Sequence, residues 1–149
     1  MSKRYTLGIL AYLIPTFALG FVWHLILFKD YYESLAIYRA DIVIPFGFAS
    51  MLIQAALFAW IYHRMFAAGS SSTASVIKYA ILGALLSWSF TTLAVGAKNI
   101  MSSVPRFMAI ETAFTLVQWI MVAPLTVLAF RGTRGSSSTI PGPVMSTSR

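Results

Sequence analysis

The chain has 149 residues, of which 58% are apolar and only 10% charged, with 11 Lys and Arg against 4 Asp and Glu, a formal charge of +7. A water-soluble domain carries about 25% charged residues, so this composition excludes a soluble globular domain, a disordered chain and a disulfide scaffold. The absence of cysteine further excludes thiolate nucleophiles and cysteine metal sites.

A bilayer crossing needs roughly 20 mostly apolar residues, and four stretches reach that length. The first covers about 5–28, with His24 as its one ionisable interior group. Its start, MSKRYTLGILAYLIPTFALGF, has the charge of a signal peptide but too long an apolar run and no small-residue cleavage site, so it is read as a retained span. The segment KDYYESLAIYRAD follows. Tyr31, Leu35 and Tyr38 share a helical face there, although an aromatic belt with a polar turn is the favoured reading.

The second stretch, about 42–62, holds no charge, and the small, polar connector AAGSSSTAS leads from it to the third, about 76–97, with Lys78 near its start. The fourth, about 107–130, contains Glu111. Pro15, Pro45 and Pro124 lie inside or near the ends of these runs, where a membrane helix tolerates them. Unbroken runs of this length point to helices, since barrel strands alternate over about 10 residues.

The expected fold is therefore an all-α, polytopic membrane protein: a bundle of four transmembrane helices over 1–130, then a disordered tail over 131–149. Basic residues orient it. Lys3, Arg4, Arg64, Lys78, Arg131, Arg134 and Arg149 gather on the side of the termini, against Lys29, Arg39, Lys98 and Arg106 opposite. Both termini are expected in the cytoplasm, with Arg131 and Arg134 near anionic lipid headgroups.

Ionisable groups inside a bilayer are costly and face the bundle interior. Glu111 is the fifth residue of the fourth stretch and His24 the fifth from the end of the first, which puts both about 6 Å below the same surface at 1.5 Å per residue. Lys98 and Asn99 end the third stretch at that surface. The expected site is thus Glu111, His24, Lys98 and Asn99, able to bind a ligand or relay a proton. A Glu111–Lys98 pair that merely sets helix register is the plainer alternative.

Deeper, Glu111, Thr115 and Gln118 form one polar stripe, and Gly47, Ser50 and Gln54 another. Stripes on neighbouring helices predict a hydrogen-bonded seam of Gln54, Gln118, Thr115 and Ser50. Gly83, Ser87 and Thr91 form a small-residue ridge suited to close helix approach. His24 and His63 lie at opposite surfaces, so no shared metal or haem is expected, and no hydrolase or phosphate-loop motif is present. The charge pattern calls for no nucleic acid and no cofactor.

GFVWHLILFKDYY, IPFGFASMLIQ and AIETAFTLVQW resemble small bacterial four-helix integral membrane proteins of unknown function. That resemblance covers about 5–130. It implies a bacterial cytoplasmic membrane and marks Trp23, His24, Lys29, Asp30, Gln54, Glu111 and Gln118 for testing. Three roles follow in order of expectation. The first is a non-enzymatic accessory, assembly or scaffold subunit, as a homo-oligomer or in a larger complex. The second is a small transporter or ligand binder built on Glu111, His24 and Lys98. The third is a lipid- or isoprenoid-modifying enzyme. At 16.4 kDa the chain is expected to enclose little volume.

Overall fold

The computed structural model describes residues 3–67 and 73–131. It is all-helical, with no strand among the described residues. Four helical runs are long and apolar enough to cross a membrane: Lys3–Leu27, Ile44–Met65, Thr73–Lys98 and Val104–Arg131. The expected stretches find their helices, each extended by a few residues at one end or both. Arg131, the first residue of the tail expected over 131–149, instead closes the last helix, whereas 132–149 and most of the connector, 68–72, lie outside the described residues.

The first run is α1 (Lys3–Val22) continued by one π-turn (Trp23–Leu27), in which the Phe28 amide bonds back to the Trp23 carbonyl at 3.0 Å. Helix α2 (Lys29–Leu35) follows and stops at Ala36, whose φ of 55° is left-handed. Helix α3 (Ile44–Met65) begins with Pro45 in its first turn, where a missing N–H costs nothing. The third run is α4 (Thr73–Trp88), a second π-turn (Ser89–Leu93) and α5 (Ala94–Lys98). The last is α6 (Val104–Arg131), which runs through Pro124 as α1 runs through Pro15.

Helix α6 is the centre of the molecule. It presents buried residues from Phe107 to Phe130 and packs against both α1 and α4, while α3 packs on the far side of α1. The buried row of α1, Gly8, Tyr12, Thr16 and Gly20, repeats every four residues, which keeps small or polar groups on one helix face. At the end nearer the termini the helices converge on a core of Tyr12, Phe58, Tyr62, Tyr79, Trp119 and Phe130 with small residues between. Tyr79 ties α4 to α3 there: its hydroxyl donates to the Phe58 carbonyl at 3.1 Å and its ring meets Tyr62 edge-on. The ridge on α4 has its expected use. A Cβ at Gly83 would fall into the Trp119 ring, and the Trp119 indole N–H donates to Ser87 Oγ at 3.1 Å.

At the other end a second, smaller core of Tyr32, Leu35 and Phe107 fixes α2 as a cap. The segment favoured as a polar turn is thus a helix. Its buried face is Tyr32 and Leu35, whereas Tyr38 lies beyond the Ala36 stop. The cap is clasped to the segment before α6. Ser102 N–H donates to the Leu35 carbonyl at 2.9 Å, Ser102 Oγ donates to the Ser34 carbonyl at 2.7 Å, and the Arg106 guanidinium lies 4.6 Å from the centre of the Tyr31 ring.

Between the two cores α3 and α4 part. Every residue from Asp41 to Ser50 is exposed, so the first turns of α3 stand clear of the bundle. The gap that results is a half-open cleft of about 440 Å³.

Candidate functional site

The cleft is floored by α1 and α6 and walled by α3 on one side and the α4 run on the other. Phe17, Phe21, Leu25, Ile44, Phe48, Met51 and Phe114 make most of its lining apolar. Among these apolar side chains lie His24, Glu111, Gln54, Gln118, Ser50, Ser87 and Thr91. A cavity of this size falls in the range of small-molecule sites, which pair an apolar wall with a few polar groups. One chain therefore holds more internal space than its mass suggested.

His24 and Glu111, which helix counting puts at one depth, are in contact. The imidazole Nε2 lies 3.2 Å from Glu111 Oε1. On its other side Nδ1 lies 2.9 Å from the Gly20 carbonyl oxygen. A carbonyl oxygen only accepts, so Nδ1 carries a hydrogen. The Nε2 edge then cannot meet a bare carboxylate with a bare lone pair, because two acceptors would face each other. The contact is satisfied with one proton between Nε2 and Oε1, and the pair is then neutral as a whole whichever atom holds it.

Tyr32 completes the group from the cap, its hydroxyl donating to the same Oε1 at 2.6 Å. Burial pushes the Tyr32 phenol above the ordinary tyrosine value, and the negative charge of Glu111 pushes it further, so it remains a donor. Tyr38 stacks on Tyr32 at 5.3 Å between ring centres and also lines the cleft. Glu111 itself is 7% exposed. Its Oε1 takes part in both bonds, and no described residue bonds Oε2.

Lys98 and Asn99 do not join this group. Both are exposed, neither forms a hydrogen bond or ion pair with Glu111 among the described residues, and Asn99 uses its backbone N–H to close α5 on Val95. The depth count was sufficient for them, but the rotation about the helix axis was not. A Glu111–Lys98 register pair is excluded for the same reason.

The expected polar seam exists but runs through α1. Tyr12 Oη donates to Gln54 Oε1 at 2.8 Å and accepts from Gln118 Nε2 at 3.3 Å, while Gln118 Nε2 also donates to Thr16 Oγ1 at 3.2 Å. Gln54 donates within its own helix to Ser50 Oγ at 3.2 Å. Thr115 is buried between Glu111 and Gln118 on the same helix face. Gln54 and Gln118 thus never touch each other, and Tyr12 is the bridge. Sequence reasoning missed Tyr12 and Tyr32. The four-residue spacing of Gly8, Tyr12, Thr16, Gly20 and His24 was the available signal for the first. No comparable pattern marks Tyr32.

Among the described residues no group of three or more His, Asp or Glu could hold a metal ion. Comparison with protein families, with curated proteins and with solved structures finds no match to this chain.

Proposed function

We propose that this chain is an integral membrane protein of the bacterial cytoplasmic membrane that binds one amphiphilic molecule in its lateral cleft. The observation that carries the reading is a hydrogen-bonded carboxylate–imidazole pair, its carboxylate buried, in a mainly apolar cleft. Four apolar helices bring the cleft into the bilayer, and His24 sits about one turn inside the end of the first helical run, Lys3–Leu27. A ligand whose chain lies against Phe17, Phe48 and Met51 and whose head reaches Glu111 matches that polarity. An internal register device would need neither the space nor the opening.

The test is native mass spectrometry of the purified chain, offered dodecanol, dodecylammonium or dodecanoate in turn. One probe is expected to bind per chain for at least one head group. Gly47→Phe should abolish that binding, because Gly47 lines the cleft and a Cβ there meets no atom within 4 Å, so the added ring fills space without displacing backbone. Uptake that Gly47→Phe leaves unchanged, or no uptake at all, overturns the reading.

A second reading, an accessory or scaffold subunit, draws support from the first turns of α3, which are exposed around their whole circumference. A partner helix would cover them. A stoichiometric foreign protein in a pull-down from native membranes, lost on substitution of Phe46 by Arg, is its test.

A further inference from the structure

The polar groups that face the cleft are unequal in kind. The lining contains Glu111 and no Lys or Arg. Glu111 Oε2 carries no bond from a described residue, and Gln118 spends its amide hydrogens on Tyr12 and Thr16, which leaves its Oε1 as an acceptor. The hydroxyls of Tyr38, Ser50 and Ser87 also line the cleft and can donate or accept, so the preference among occupants is set by charge, by a carboxylate without a Lys or Arg. An anionic head group would meet no Lys or Arg and a pair with no net positive charge, and a buried charge without a counter-charge is strongly disfavoured. The side of the molecule that holds the cap carries Lys29, Arg39, Lys98 and Arg106 against Asp30, Glu33 and Asp41, so the overall positive charge is not concentrated at that end.

The second observation is the geometry of His24 and Glu111, whose Nε2 and Oε1 face each other at 3.2 Å and are satisfied by one proton between them. Gly20 fixes the imidazole by its Nδ1–H, so the ring cannot turn its other edge to Glu111 without abandoning that bond. Whatever takes the place of the shared proton must itself donate to both Nε2 and the carboxylate. An alkylammonium head has three N–H donors and one positive charge.

Resting on the amphiphile-binding reading, we infer that the cleft takes a cationic amphiphile, a long-chain amine, in exchange for the proton shared by His24 and Glu111. The ammonium N–H groups occupy the position of that proton, the carboxylate becomes the counter-ion, His24 keeps Nδ1–H on Gly20, and the displaced proton leaves to solvent. One positive charge enters and one leaves, and no covalent bond to carbon changes.

The titratable groups facing the pair are few. Tyr32 and Tyr38 reach it from the cap and the loop after it. Both phenols are held above the ordinary tyrosine value by burial first and by Glu111 second, so both stay neutral. Helix α3 and the α4 run contribute no ionisable side chain to the cleft, and α6 contributes only Glu111 itself. Lys29 and Glu33 of α2 are exposed and pair with each other at 3.6 Å.

The experiment is a binding titration of the purified chain with dodecylammonium, dodecanol and dodecanoate between about pH 5 and pH 9, a range over which an alkylammonium stays charged. Dodecylammonium is expected to bind tightest, with an affinity that rises by up to about tenfold per pH unit while the pair still holds its proton. Glu111→Gln should flatten that dependence and weaken dodecylammonium by tenfold or more, while dodecanol still binds. The pH profile of the native chain decides the matter even if Glu111→Gln does not fold. Dodecylammonium binding that is flat with pH, or dodecanoate binding as tightly as the amine, overturns the exchange while Gly47-sensitive dodecanol binding leaves the amphiphile reading intact. No binding by any probe overturns both.

Discussion

Tyr12 concentrates three helices on one oxygen, donating to Gln54 on α3 and accepting from Gln118 on α6. Interhelical hydrogen bonds between apolar helices are worth about 0.6–2 kcal/mol each. Tyr12→Phe deletes two and leaves Gln54 Oε1 without its donor, so a loss of about 1–3 kcal/mol is expected, read from unfolding in mixed micelles. Tyr32→Phe tests the other bridge. A bond to a charged acceptor contributes about 1.5–3 kcal/mol, and stability should fall by that order while α2 stays helical. Two glycines give opposite signs. Gly83→Ala forces Trp119 off α4 and is expected to cost about 1–3 kcal/mol, whereas Gly47→Ala, facing open space, should gain about 0.5–1 kcal/mol through helix propensity. His24 and Glu111 were legible in the sequence because depth follows from counting along two antiparallel helices. Lys98 was misplaced because counting gives depth without azimuth, and Tyr12 was missed because a tyrosine in an apolar run carries no mark of the partner its hydroxyl will find.

At the scale of elements, the long helices were readable because length and hydropathy alone determine them. The two π-turns were not. Each adds a residue to one turn, and His24 and Thr91 bond backbone carbonyls four residues back, at Gly20 and Ser87, a local detail that hydropathy counting does not register. Helix α2 was misjudged because KDYYESL has helical spacing for several faces, and only the presence of Phe107 and Arg106 selects the one with Tyr32 and Leu35. Its stop at Ala36 is strained, since a residue with a Cβ pays about 1–2 kcal/mol in the left-handed region. Ala36→Gly is therefore expected to stabilise the cap by about 0.5–1 kcal/mol after the added chain entropy of glycine, measured as slower hydrogen exchange of the α2 amides. Above the ordinary tyrosine pKa the cap should behave differently from free phenol. The Tyr32 pKa is raised on folding, so its contribution is fully present below about pH 10 and is lost only as pH climbs through the folded value. Its tyrosinate absorbance is expected to appear together with unfolding.

The whole molecule is an open arc, α3 against α1 against α6 against α4, closed at one end by Tyr62, Phe66 and Tyr79 and parted at the other. An arc of this kind leaves apolar residues of the outer helices exposed, as Phe46, Leu52, Ile81 and Phe90 show, and a hydrocarbon surrounding suits that surface. Membrane insertion is the expectation to check directly. The chain has no cysteine, so single cysteines report topology without background. Four crossings would return the chain to its starting side, and the basic excess of Lys3, Arg4, Arg64, Lys78 and Arg131 predicts that this side is the cytoplasmic one. Lys3→Cys and Arg131→Cys should resist a membrane-impermeant maleimide in intact cells and react after lysis. Arg39→Cys, in the loop after the cap, should react in intact cells. Gly47→Cys should be slow toward the impermeant reagent in both cases and fast toward an apolar maleimide, because its route to solvent runs through the cleft. Labelling of Lys3→Cys and Arg39→Cys from the same side would mean that α1 does not cross, and the cleft would then lose the lipid-facing position on which its proposed ligand depends.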